Sequence, residues 1–217
     1  VELSFTPDQV AEWLKCAEDP IYFIENYVKI VTLDDGLKLM ELFEFQKDIV
    51  RSLWTNRKTV GVCARQMGKT TCVAAFFAWY VTFHGFKTCA ILANKAATAR
   101  EILSRVQRAY EHLPKWMQHG VVEWNKGSLE LENGSRILAA STSSSAIRGQ
   151  SIDTLFLDEY GFVPNNIADE FFASVYPTIT SGKNSKIAII STPNGLNHFY
   201  KIVKEAESGM NGFHPIK

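Results

Sequence analysis

The apolar segment Thr59-Val60-Gly61-Val62-Cys63 runs into the loop Ala64-Arg65-Gln66-Met67-Gly68, and a long apolar helix pattern begins at Lys69-Thr70-Thr71. A strand, a tight loop and a helix in that order aim the loop's backbone N–H groups and the positive end of the helix dipole at one point. Lys69 adds a full charge there, and the Thr70 hydroxyl suits Mg²⁺, so the segment reads as a phosphate-binding loop. The usual pattern G-x-x-x-x-G-K-T is degenerate here, because Cys63 stands at the first glycine. The Gly-Lys-Thr triplet is a weak signal alone, and its flanks carry the argument.

Those flanks continue as an alternation. After TVGVC and the helix TCVAAFFAWYVTF come KTCAILA, a helix from Asn94 towards Leu113-Pro114, the strand DTLFLDE, a helix over roughly 165–180, the strand KIAIIS and a last helix from near Leu196. That order predicts an α/β fold with a mainly parallel sheet of five or more strands flanked by helices. Residues 121–140 differ: Asn125-Lys126-Gly127 and Asn133-Gly134 are turn signals between short apolar runs, which predicts an antiparallel meander at an edge. Upstream, Thr6-Pro7 and Asp19-Pro20 open two short helices, with Thr6 and Gln9 fitting a capping box. Asp34-Asp35-Gly36 is a turn, and an amphipathic helix follows over residues 41–54.

At 217 residues, 46% apolar and 21% charged, the chain suits one α/β core with appendages and excludes disorder, collagen-like structure and coiled coil. Its longest apolar run, Val73 to Val81, is less than half of a bilayer span, and no basic-then-apolar leader opens it, so no membrane association and no export are expected. Cys16, Cys63, Cys72 and Cys89 have neither Cys-x-x-Cys nor metal-ligand spacing and read as small apolar residues of a reducing compartment. The net charge of zero hides an uneven distribution: −7 over residues 1–50, +9 over 51–120 and −2 over 121–217. A basic middle segment suits an anionic ligand such as nucleotide or DNA, although pairing with the acidic ends on folding is an equal reading.

Thr154-Leu155-Phe156-Leu157 is an apolar strand ending in Asp158-Glu159, downstream of the loop as a Walker B strand should be. Asp158 can hold Mg²⁺ through water, and Glu159, pointing the other way, can polarise the attacking water. Phe45-Gln46 precedes the first sheet strand; a glutamine amide can pair with adenine and an aromatic can pack on the base. Ser191-Thr192-Pro193 ends a later strand with hydroxyls placed to sense a γ-phosphate.

Together, Phe45-Gln46, the loop Ala64 to Thr71, Leu157-Asp158-Glu159 and Ser191-Thr192-Pro193-Asn194-Gly195 resemble the ATPase domain of the large terminase subunit of tailed bacteriophages. Val122-Glu123-Trp124-Asn125-Lys126-Gly127-Ser128 and Ser181-Gly182-Lys183-Asn184-Ser185-Lys186 are similar to the same family, in particular to its large contractile-tailed phages. The resemblance covers nearly the whole chain. It implies a P-loop NTPase of the ASCE (RecA-like) class that uses ATP and Mg²⁺ to package double-stranded DNA into a procapsid, in the cytoplasm of the infected host. Its implied partners are the portal protein, the small terminase subunit and further copies of itself in a ring.

The resemblance also implies roles. Glu159 is the catalytic carboxylate, Lys69 meets the β/γ-phosphates, and Arg65 reaches the γ-phosphate as a candidate cis arginine finger. Gln66, Met67, Gly68, Thr70 and Thr71 complete the nucleotide loop, Thr70 and Asp158 hold the metal, Gln46 reads adenine, and Ser191-Thr192-Pro193 couples hydrolysis to movement. Arg148 falls where related motors offer an arginine to a neighbouring subunit; a surface ion pair is the other reading. Residues 36–196 are expected to form the nucleotide core, with 1–35 and 197–217 together as a small lid, and no nuclease chemistry is expected of this chain. The competing readings are the first lobe of a helicase, which needs a second sheet domain, and a nucleotide-gated DNA-binding module without turnover, which would not need Glu159.

Overall fold

The computed structural model describes residues 5–32, 34–142, 147, 149–180 and 182–216. Helices α1 (Pro7–Glu18) and α2 (Pro20–Tyr27) start where local chemistry dictates. Gln9 N–H donates to Thr6 Oγ1 at 3.2 Å and Thr6 N–H to Gln9 Oε1 at 3.0 Å, while Asp19 Oδ1 accepts from the N–H groups of Ile21 and Tyr22. The Asp34-Asp35-Gly36 turn closes an antiparallel hairpin of β1 (Lys29–Thr32) and β2 (Gly36–Leu39), strands that the sequence pattern does not announce. Each strand has four residues, so the Leu37-Lys38-Leu39 alternation is too short to stand out, and Val31, Leu37 and Leu39 are exposed. Helix α3 (Glu44–Thr55) begins three residues later than expected.

The core elements follow in order: β3 (Lys58–Val62), α4 (Lys69–Phe83), β4 (Thr88–Ala93), α5 (Ala96–Glu111), β5 (Val121–Trp124), β6 (Ser128–Leu131), β7 (Arg136–Ser141), β8 (Thr154–Asp158), α6 (Asn165–Ser174), α7 (Tyr176–Thr180), β9 (Lys186–Ser191), α8 (His198–Glu207) and β10 (His214–Ile216). The eight strands from β3 onward form one sheet in the order β10-β3-β9-β8-β4-β7-β6-β5. All neighbours from β10 to β7 are parallel, and β7-β6-β5 is the expected antiparallel edge meander. The single helix expected over 165–180 is two, because Pro177 lacks the N–H that would extend α6.

Both sheet faces are covered, which is why β8 and β9 read as unbroken apolar runs. Phe156, Ala188 and Ile190 face the core shared with α1 to α5, and Leu155, Leu157, Ile187 and Ile189 face the core shared with α6 to α8. Helix α4 is buried on every side from Cys72 to Thr82, as a helix apolar all round must be. The helices near the two ends of the chain pack on different faces of the sheet. Phe199, Ile202, Val203 and Ala206 of α8 form a stripe that packs on the second face, and β10 pairs in parallel with β3, whereas α1 and α2 pack on the first.

The indole of Trp79 ties α1 to α4, its N–H donating to the Cys16 carbonyl at 2.7 Å inside the core. Trp79→Phe strands that carbonyl and is expected to cost about 1–3 kcal/mol, read as a lower urea midpoint at unchanged slope. Trp124→Phe, at a half-exposed position, serves as the near-neutral control.

Candidate active site

Strand β9 lies between β3 and β8, with Ser191 opposite Val62 and Ile190 opposite Asp158. The ladders extend past the strand ends: Cys63 N–H donates to the Ser191 carbonyl and Glu159 N–H to the Ile190 carbonyl. The phosphate loop, the acidic strand end and the hydroxyl-bearing strand end therefore meet at the carboxyl edge of the sheet, where open α/β folds bind ligands. Cys63 is buried within the ladder at negative φ, so the position that is usually glycine has no need of one. Its thiol is pushed up by burial. Gly68 is required twice: its φ is 71°, and a Cβ there would sit 2.7 Å from Gln46 Nε2.

Lys69, buried at 6% exposure, donates from Nζ to Glu159 Oε1 at 2.5 Å. Glu159 Oε2 accepts from Thr192 N–H at 3.0 Å and Thr192 Oγ1 at 2.9 Å, and Ser191 Oγ lies 3.2 Å away. Burial raises the Glu159 carboxyl, but the hydrogen bonds from Lys69 and Thr192 outweigh it and hold the group below its ordinary value. Asp158 moves the opposite way. Burial first, and then the neighbouring Glu159 charge, push it up to about 6. Its Oδ1 is buried without a hydrogen-bond partner among the described residues.

That orphaned oxygen fits a cation ligand. Among the described residues no cluster of three His, Cys, Asp or Glu side chains forms a metal site, so a cation here would complete its shell from water and phosphate, the habit of Mg²⁺. Asp158 and the partly exposed Thr70 are the residues that would hold it.

The remaining expected site residues are distributed as follows. Gln46 is buried, and its amide is engaged at both ends: Phe43 N–H donates to Oε1 at 3.1 Å and Nε2 donates to the Met67 carbonyl at 3.0 Å. It braces the phosphate loop against α3. Phe45 stacks on Phe43 with ring centroids 5.9 Å apart and planes 6° from parallel. Phe43, unmarked in the sequence, is the more exposed of the pair at 68%. Gln66 takes a left-handed conformation at φ 62° at the loop tip. Arg65 is exposed, its guanidinium 5.8 Å from the Phe162 ring centroid. The Thr71 hydroxyl accepts from Arg105 Nη1 at 3.0 Å and so is turned to α5. Pro193 is exposed beyond Thr192, and Arg148 lies outside the described residues.

Five further residues join the site, of which Asn194 lies within a quoted motif and none has a role assigned from sequence. Asn194 and Asn197 both donate from Nδ2 to the Gly161 carbonyl, at 3.0 and 2.6 Å, clamping the turn after Glu159. Asn94, Lys95 and Thr98 line a cavity of about 340 Å³ with Arg65 and Glu159. The one available signal was their place after β4, at the carboxyl edge of the sheet.

The raised Asp158 group makes a testable demand. A carboxyl whose folded value exceeds its unfolded one binds its proton more tightly when folded, so stability falls as pH rises from about 4 to about 6 and stays reduced above that. Asp158→Asn removes the penalty. In metal-free urea titrations its stability relative to the parent should climb through that window by on the order of 2–3 kcal/mol and then level off; a difference flat with pH would contradict the burial argument.

Residues 60–209 match the family described as terminase large subunit, T4likevirus-type, N-terminal. The fold is similar to that of the HK97 bacteriophage large terminase, at a TM-score of 0.74 and 21% identity over 92% of this chain and 42% of that one. It is similar to the large terminase ATPase domain of Thermus phage P74-26, at 0.64 and 24% identity over 75% of this chain and 69% of that one. The large terminase of a further thermophilic bacteriophage, in complex with ATP-γ-S, matches at 0.59 and 12% identity over 79% of this chain and 43% of that one. The chain thus spans about two fifths of the HK97 protein's length. With the family matched over most of its residues, the chain belongs to the terminase large subunits, T4likevirus-type, as an N-terminal part.

Proposed function

We propose that this domain hydrolyses ATP with Mg²⁺ and that the hydrolysis drives double-stranded viral DNA into a procapsid through the portal. One observation carries the reading: Lys69 at the start of α4, and Glu159 and Thr192 just beyond the ends of β8 and β9, converge at one point of the sheet edge. Residues 36–196 are proposed as the nucleotide core. The proposed partners are DNA, the portal protein, the small terminase subunit and further copies in a ring, working in the cytoplasm of the infected bacterium. Family membership and the charge excess of +9 over residues 51–120 support an anionic cargo. No helix among the described residues is long and apolar enough to cross a membrane.

In this reading the triphosphate lies on the loop from Arg65 to Thr71, with the base near Phe43 and Phe45. Gln46 would meet adenine only by giving up a bond to Phe43 or Met67. Thr70 and Asp158 are the residues that would hold Mg²⁺, which would supply neutralisation of the phosphate charge. Lys69 exchanges its carboxylate partner for phosphate oxygens, which frees Glu159 to orient a water. The water oxygen bonds to the γ-phosphorus as the bond to the bridging oxygen breaks; the electron pair leaves with ADP, and the water proton passes through Glu159. Arg65 neutralises the developing charge, a contribution of about three to five orders of magnitude in related phosphoryl transfer. Ser191, Thr192 and Pro193 report the exchange to the β9–α8 turn, and Arg148 is proposed to serve the neighbouring subunit.

Steady-state ATP hydrolysis against protein concentration, with Mg²⁺ and with EDTA, tests this. Glu159→Gln should bind ATP yet lose turnover by about 10²–10⁴. Lys69→Ala should weaken binding, Arg65→Ala should lower mainly the rate, and Arg148→Ala should abolish any rise of rate with concentration. Tight ATP binding without turnover in the parent would favour a nucleotide-gated switch instead.

A further inference from the structure

We propose that the β4–α5 turn forms the second wall of a phosphate subsite, in which Lys95, aided by Asn94 and Thr98, contacts the γ-phosphoryl group and then the inorganic phosphate released. The inference rests on the ATPase reading and deepens it.

Sheet register is its first support. Ala93 pairs with Asp158, so Asn94 stands level with Glu159 on the adjacent strand end. This juxtaposition arises only from β4 lying beside β8, and nothing in the local sequence around residue 94 marks it.

The cavity is the second. An open cleft of about 340 Å³ is lined by Arg65, Phe162, Asn94, Lys95, Thr98 and Glu159. That is ample for a phosphate group and several waters, each of which takes about 30 Å³ in the liquid.

Charge is the third. Glu159 is already neutralised by Lys69. Among the described residues neither Arg65 nor Lys95 is paired with a carboxylate, so the cavity carries two uncompensated positive charges. Phe162 steadies the Arg65 guanidinium from its ring face, 5.8 Å away. The side chains of Asn94 and Thr98 are exposed and make no hydrogen bond to the described residues, leaving an amide N–H₂ and a hydroxyl for a ligand. Two cations with two neutral donors around an open space match a dianionic tetrahedral group. When the bridging bond breaks, the transferred group keeps its charge on its three outer oxygens and the bonding electron pair goes to the β-phosphate oxygen. Lys95 and Arg65 grip the transferred group, and Lys69 the β-phosphate oxygen.

The test compares the full chain carrying Lys95→Ala or Lys95→Arg with the parent, measuring binding of ADP alone and of ADP with aluminium fluoride, kcat and KM for ATP, and inhibition by inorganic phosphate. Lys95→Ala should keep ADP affinity within about twofold, and lose about tenfold or more in affinity for ADP with aluminium fluoride and in kcat. Inhibition by phosphate should weaken in parallel, and Lys95→Arg should restore most of each. Asn94→Ala and Thr98→Val should show smaller losses of the same pattern. Parent-like binding of ADP with aluminium fluoride and parent-like kcat in Lys95→Ala would overturn the subsite, as would an equal loss of affinity for ADP alone. A parent that binds neither ADP nor ATP would instead overturn the ATPase reading, and the subsite with it.

Discussion

The contact on which the site depends is the grip of Lys69 and Thr192 on the two oxygens of Glu159. It exists because β9 lies between β3 and β8, so residues separated by 90 and 33 positions in the chain meet side by side. Lys69 is nearly fully buried, and a buried charge is tolerated only when it is paired. Removing either partner leaves the other unpaired, and only another anion can take Glu159's place beside Lys69. The resting arrangement is thus set up to be opened by something negatively charged.

Adjacent residues show how one strand end holds two acids in different states. Asp158 completes β8 and points into the core side of the edge, where burial raises it; Glu159 follows at φ 49°, a left-handed backbone that turns the chain sharply and lifts the next carboxylate towards its donors. Strain of this kind in a non-glycine residue is retained where the surroundings over-determine it. Here the fixing contacts are the Ile190 carbonyl on the Glu159 amide and the two asparagine amides on Gly161. Pairs of acids with environments that push them apart divide labour between them.

What the sequence disclosed, and what it hid, follows from contact range. The loop after β3, the acids ending β8 and the caps at Thr6 and Asp19 rest on neighbours within a few residues, and they stand where local chemistry puts them. The pairing of β10 with β3, the level placement of Asn94 beside Glu159 and the bracing of Met67 by Gln46 depend on sheet order, which no local pattern encodes. The β1–β2 hairpin stayed hidden for a different reason: its strands have four residues each, too few for an alternation such as Leu37-Lys38-Leu39 to stand out. Gln46 could be singled out in the sequence, yet the partners of its amide, Phe43 and Met67, could not.

The same contact range explains how the site is joined to the rest of the fold. Gly161 sits two residues beyond Glu159, and its carbonyl takes both asparagine amides of the β9–α8 turn while its N–H donates to Ser191 Oγ. A side chain there would lie 2.9 Å from that Oγ and 3.0 Å from the Thr192 carbonyl, so only glycine allows the approach. Tyr160, one residue earlier, meets His198 at the start of α8 through a 3.0 Å contact between its hydroxyl and Nδ1. The backbone that presents Glu159 is therefore bonded to the first turn of α8, and α8 lies over β3, the strand that leads into the phosphate loop. Glu159 is thus tied on one side to Lys69 at the start of the buried α4 and, through the turn that follows it, to the start of α8 on the other.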